Sequence, residues 1–84
     1  MNDNKTIKII VLARDYKSFA RFTRKYGLIG RCKYVIDEND LKGCEGYKLV
    51  KYGDWFNNQF YYADGMRSAI ELACERAKEV REVV

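Results

Sequence analysis

Residues 6–26, TIKIIVLARDYKSFARFTRKY, decide the fold. Thr6 to Ala13 is short, rich in β-branched residues and broken only by Lys8, the pattern of a strand buried on both faces of a parallel sheet. Asp15 then stands where a helix N-cap is needed. Behind it Tyr16, Phe19, Ala20, Thr23 and Tyr26 recur at spacings of three and four, with Lys17, Arg21, Arg24 and Lys25 on the other side. That is an amphipathic helix. Gly27 ends it as a residue free to take positive φ, and Leu28 is placed to fold back onto the last turn. A strand feeding a helix opens a β-α-β unit.

Cys32 to Ile36 supplies a second strand, and Asp37 to Gly43 reads as one capped helical turn ended by glycine. Tyr47 to Tyr52 is a third strand whose Lys48 and Lys51 predict a sheet edge, where lysine deters further pairing. The connection over residues 37–46 is about the minimum for a parallel crossover. From Met66 the apolar positions Ala69, Ile70, Ala73, Ala77 and Val80 predict one long final helix, with Asp64 as candidate N-cap or residues 60–63 extending it backwards. Arg67 with Glu71, and Lys78 with Glu82, then form i,i+4 pairs on its wet side. The predicted architecture is a single α/β domain over residues 1–84, a Rossmann-like half in β-α-β-β-α order. Its three-stranded, mainly parallel sheet runs 2-1-3, the most apolar strand central and helices on both faces.

At 84 residues and 9.9 kDa there is room for one modest core, and 48% hydrophobic with 33% charged residues describes a folded chain. Proline is absent, which excludes collagen-like and Pro-rich classes. Histidine is absent too, removing the commonest general base and transition-metal ligand. Ser18 and Ser68 lack a base, and Cys32, Cys44 and Cys74 lack a basic partner at motif spacing and form no C-x-x-C pair. The residues predict no enzyme, no cofactor and no metal centre. The apolar run after Met1–Lys5 is too short and too charged for a signal peptide or a membrane span. With three free thiols this predicts a cytoplasmic protein without membrane contact.

Three sites follow from the pattern. Trp55, Phe56, Phe60, Tyr61 and Tyr62 put five aromatics into eight residues, more than a three-stranded layer has room to bury. Part plugs the gap between sheet and final helix, and the surplus predicts an interface to a protein partner or a second copy. The formal charge is +4, and residues 1–53 hold 12 basic against 6 acidic side chains. Arg14, Lys17, Arg21, Arg24 and Lys25 along the first helix therefore form the alternative, a nucleic-acid face, although a solvated helix surface is the commoner cause of such a run. Third, strand order 2-1-3 places its switch point between strands 1 and 3. Arg14, Asp15, Asp54, Trp55 and Asn58 would meet there as a small-ligand rim. No glycine occurs in the first loop, so a phosphate cradle is not encoded.

The abrupt start KIIVLAR, the helix FARFTRKYGL and the stretch YVIDENDLKGCEGYKLVKYGDWFNN resemble, over roughly residues 7–60, the small α/β orphan proteins of bacteriophages and mobile elements. The resemblance implies a non-enzymatic binder of phage or host proteins, or of nucleic acid, acting in the host cytoplasm. It carries over no individual site residue.

Overall fold

Strands and helices alternate along residues 8–84, the part of the chain that the computed structural model describes. The elements are β1 (Ile9–Leu12), α1 (Tyr16–Lys25), β2 (Cys32–Tyr34), β3 (Lys48–Tyr52), α2 (Met66–Arg76) and β4 (Glu79–Val83). Short 3-10 turns lie between β2 and β3 (Glu38–Leu41) and between β3 and α2 (Trp55–Asn57 and Gln59–Tyr62). The sheet is parallel throughout, in the order β2-β1-β3-β4. The α/β class, central β1 and 2-1-3 core match the sequence expectation. Thr6 and Ile7, predicted to begin the first strand, lie outside the described residues.

The sheet has four strands rather than three. The predicted final helix stops at Arg76, Ala77 turns extended at φ −70° and ψ 147°, and β4 pairs with β3 from Lys48↔Glu79 to Tyr52↔Val83. Ala77 and Val80 do continue the helical spacing, but Val80, Val83 and Val84 are β-branched. Along β3, a neighbouring strand offers a ladder of backbone partners that an isolated last turn of helix cannot match. Tertiary pairing overrides the local pattern. Consequently β3 is interior, not an edge, and Lys78 and Glu82 are not helical partners.

Alternation along the central strands divides the core between the two sheet faces. Ile10, Leu12 and Leu49 pack with Val35, Met66 and Ile70 on the α2 side, while Val11, Ala13 and Val50 pack with Phe19 and Phe22 on the α1 side. Helices therefore cover both faces, which is why β1 is apolar at every position. The buried stripe of α1 is rotated from its predicted position: Ser18, Phe19, Phe22 and Thr23 are buried, and Tyr16 and Tyr26 are exposed. Phe22 wins because it meets Tyr52 of β3, ring to ring at 5.1 Å, whereas the amphipathic tyrosines lie at the margins. Asp15 caps α1 as its sequence position implied, accepting from the Ser18 N–H at 2.8 Å. Asp37 and Asp40 form a reciprocal capping box on the Glu38–Leu41 turn. The cap of α2 is Gly65, not Asp64, because this residue sits at φ +81°, where a side chain is strained.

Candidate aromatic interface at the carboxyl rim of the sheet

Beyond the carboxyl ends of β1, β2 and β3 the chain from Asp54 to Ala63 folds back as two consecutive 3-10 turns. Asn58, between them, is the organising residue. It is 1% exposed, and its side-chain amide donates to the Ala13 carbonyl at 2.8 Å and to the Tyr34 hydroxyl oxygen at 2.9 Å. Its Oδ1 accepts from the Phe60 N–H at 2.7 Å. One side chain thus caps the second turn and ties it to β1 and β2. Tyr61, 4% exposed, supplies the second tie: its hydroxyl donates to the Val35 carbonyl at 2.9 Å and accepts from the Ala13 N–H at 3.4 Å. Burial raises the Tyr61 phenol far above its usual range, and burial likewise raises Tyr34.

These ties decide what the five aromatics can do. Tyr61 is a core residue whose ring packs between sheet and α2 while its hydroxyl joins two strand ends, so it can form only the floor of an interface. Trp55 is half-buried, edge-on to Phe56 at 6.1 Å, with the Lys51 ammonium 5.3 Å from its ring centre. Phe56 and Tyr62 project, at 52% and 64% exposure. The Tyr62 hydroxyl donates to the Phe56 backbone carbonyl at 2.6 Å, which ties the Tyr62 ring to the first turn. With Trp55 and the α2 residues Arg67, Glu71 and Cys74 they line a groove of about 480 Å3. Phe60 faces a different, shallower depression beside Ile36. The cluster therefore divides into a plug, one aromatic groove and an outlying phenylalanine.

Arg67, Glu71 and Cys74 escaped the sequence reading as site residues. Their signal was available in the spacing of 67, 71 and 74, which marks one helix face next to the core stripe. No acid–base role follows for the cysteine. Burial raises the Cys74 thiol, as it raises Cys44, and pushes Cys32 up to about 11, so all three are poor thiolates.

At the predicted ligand rim, Arg14, Asp15 and Asp54 do meet. The Arg14 guanidinium lies 3.4 Å from Asp15 Oδ2 and 3.4 Å from Asp54 Oδ2, bridging the ends of β1 and β3. The Ser18 N–H, more than Arg14, holds the Asp15 carboxyl below its ordinary value, and the Asn57 amide does the same for Asp54. The cation between the two carboxylates is the chain's own guanidinium. Asn58, the fifth rim residue with Trp55, already has three internal hydrogen bonds. Asn58 and Tyr61, from the 58–61 segment, are thus bonded within the chain at the strand ends beside this rim.

On α1, Lys17, Arg21, Arg24 and Lys25 are exposed, and none has a carboxylate within ion-pair distance among the described residues. Among the described residues no helix is long and apolar enough to cross a membrane. Comparison of the chain with protein-family models, with curated proteins and with solved structures finds no match in any of the three.

Proposed function

We propose that this protein is a non-catalytic binding module that recognises another protein through the Trp55–Phe56–Tyr62 groove. The observation that carries this is the exposure of Phe56 and Tyr62 on a segment anchored through buried Asn58 and Tyr61, with the Tyr62 ring tied to the Phe56 backbone carbonyl by a 2.6 Å hydrogen bond. Aromatic side chains give large contact area at small entropic cost, and the bond from Tyr62 reduces that cost further at this position. Arg67 and Glu71 at the groove margin supply polar contacts of both signs, suited to a peptide or protein edge rather than to a uniformly charged ligand. In a reducing cytoplasm the three poorly ionised thiols remain spectators. Replacing Phe56 and Tyr62 together by serine removes the anchors without touching the plug. Partner capture should fall by at least tenfold, since anchors of this type typically contribute about 2 kcal/mol or more. Capture unaffected by the double substitution refutes the proposal.

The four exposed cations of α1, without an ion-pair partner among the described residues, support a second reading, nucleic-acid binding. Retention on DNA or RNA would then weaken steeply with salt and disappear in Arg21→Glu with Arg24→Glu. Absence of retention at low ionic strength eliminates it.

A further inference from the structure

β4 is an edge strand with five residues, whereas the opposite edge, β2, has three. No described element pairs with its outer side. The sequence there, Lys78-Glu79-Val80-Arg81-Glu82, is antisymmetric in charge about Val80: each residue carries the opposite sign of the one equally far on the other side. In an antiparallel pair of two such strands with the dyad on Val80, Lys78 stands opposite Glu82 of the second copy, Glu79 opposite Arg81, and Val80 opposite Val80. Within β4, Glu79 and Arg81 each meet their opposite; Lys78 precedes the strand, with its N–H donating to the Tyr47 carbonyl at 2.8 Å, and adds only its side-chain charge opposite Glu82. Moving the dyad to Arg81 sets two arginines against each other, and placing it between Val80 and Arg81 sets Glu79 against Glu82. A dyad between Glu79 and Val80 opposes Lys78 and Arg81, and parallel pairing aligns like with like. The charges that ordinarily protect an edge thus disfavour these alternatives. A dyad between Arg81 and Glu82 escapes that test, but it would pair the inward-directed backbone of Arg81 with the outward-directed backbone of Glu82.

Backbone phase agrees with that register. The Gly53 N–H donates to the Val83 carbonyl at 2.7 Å, so Val83 directs its peptide groups inward to β3. Alternation gives Arg81 the same direction and leaves the N–H and C=O of Val80 and Glu82 on the outer side. A dyad on Val80 therefore makes the two valines a hydrogen-bonded pair, each donating to the other's carbonyl. Val80 is 41% exposed, and Arg81 and Glu79 lie at the surface, ion-paired to each other at 2.7 Å within the chain, so the dyad would bring two such pairs together as a four-charge cluster.

We infer that β4 is a dimerisation edge, joining two copies of this chain antiparallel about Val80 into one continuous eight-stranded sheet. The dyad stands perpendicular to the sheet, so α1 of both copies lies on one face and α2 of both on the other. Because the aromatic groove lies beyond the carboxyl end of β3, the two grooves occupy opposite ends of the dimer. The inference does not depend on what those grooves bind.

Sedimentation velocity from about 1 μM to about 1 mM tests this, a range that spans ordinary dimer affinities. The unaltered chain should form dimers. Glu79→Arg alone and Arg81→Glu alone each place like charges opposite each other twice per interface, and should weaken association by roughly tenfold or more. An equimolar mixture of the two single variants restores complementarity at both positions and should recover a dimer, as should Glu79→Arg with Arg81→Glu in one chain. Circular dichroism verifies folding of each variant, and the doubly exchanged chain serves if a single variant does not fold. A monomer throughout the range, dimers indifferent to the single reversals, or failure of both complemented pairs overturns the inference. So does a dimer lost only on Phe56→Ser with Tyr62→Ser, which would assign self-association to the aromatic groove instead.

Discussion

Asn58→Ala should be among the most damaging single substitutions of a polar residue in this protein. The Asn58 side chain satisfies the Ala13 carbonyl, the Phe60 N–H and the Tyr34 hydroxyl at once. Its removal leaves a buried strand-end carbonyl without a partner, at about 1–3 kcal/mol. It also removes a turn cap, at about 1 kcal/mol. Together these amount to about 2–4 kcal/mol, against a total of about 4–13 kcal/mol for a domain of 84 residues. The melting midpoint should fall by roughly 10–25 °C. Asn58→Asp separates donor from acceptor. A carboxylate keeps the bond from Phe60 but faces the Ala13 carbonyl with no proton to donate. Burial then raises its folded-state pKa above the unfolded value, so the protonated form stabilises the fold at acid pH and this contribution is lost as pH rises through the folded pKa. Urea titrations at neutral and mildly acid pH should show the Asp variant recovering toward the parent as pH falls. A midpoint within about 0.5 kcal/mol of the parent for Asn58→Ala, or no pH dependence for Asn58→Asp, would refute the organising role of Asn58.

Tyr61→Phe deletes the hydroxyl shared by Val35 and Ala13 and should cost about 1–3 kcal/mol, measured by denaturant titration; Phe56→Ser, at the surface, should change stability by less than about 0.5 kcal/mol. Met66→Ala, at a fully buried position against both sheet and turn, should cost about 2–5 kcal/mol. Cys32, whose thiol ordinarily ionises near 9.0, ionises in the fold at about 11. Its neutral form therefore supports the fold fully below pH 9 and that support is lost as pH rises through about 11. Native-state alkylation of Cys32 at pH 8 should be much slower than in the denatured chain, and equal rates would contradict its burial.

Much of the fold was legible because local and tertiary signals agreed. The run from Ile9 to Ala13 demanded covering on both faces, Asp15 and Gly27 bounded the first helix, and Asp37 marked the capped turn. The reading failed where two periodicities coexisted. Ala77 and Val80 extend a helical stripe, yet the same segment alternates as a strand once β3 offers it partners. The same strand makes β3 interior, so its lysines do not guard an edge, and Lys51 lies over the Trp55 ring. The aromatic cluster was recognised as a unit, but its division between core and surface rests on the two 3-10 turns that bury Tyr61 and expose its neighbours. Nothing in the order of the residues distinguishes Tyr61 from Tyr62. Asn58 was assigned to a ligand for a related reason: a polar residue at a switch point binds a ligand or replaces one, and only the closing of the loop decides which.

The central claim, recognition of a protein through the Trp55–Phe56–Tyr62 groove, is tested most directly by isotope-labelled affinity capture. The parent chain would be compared with Phe56→Ser plus Tyr62→Ser and with Arg21→Glu plus Arg24→Glu, each verified as folded, with and without nuclease. The account predicts a defined protein captured equally by the parent and the basic-face variant, resistant to nuclease and lost with the aromatic pair. Capture that survives loss of Phe56 and Tyr62, or that vanishes with nuclease or with the α1 charges, would contradict it.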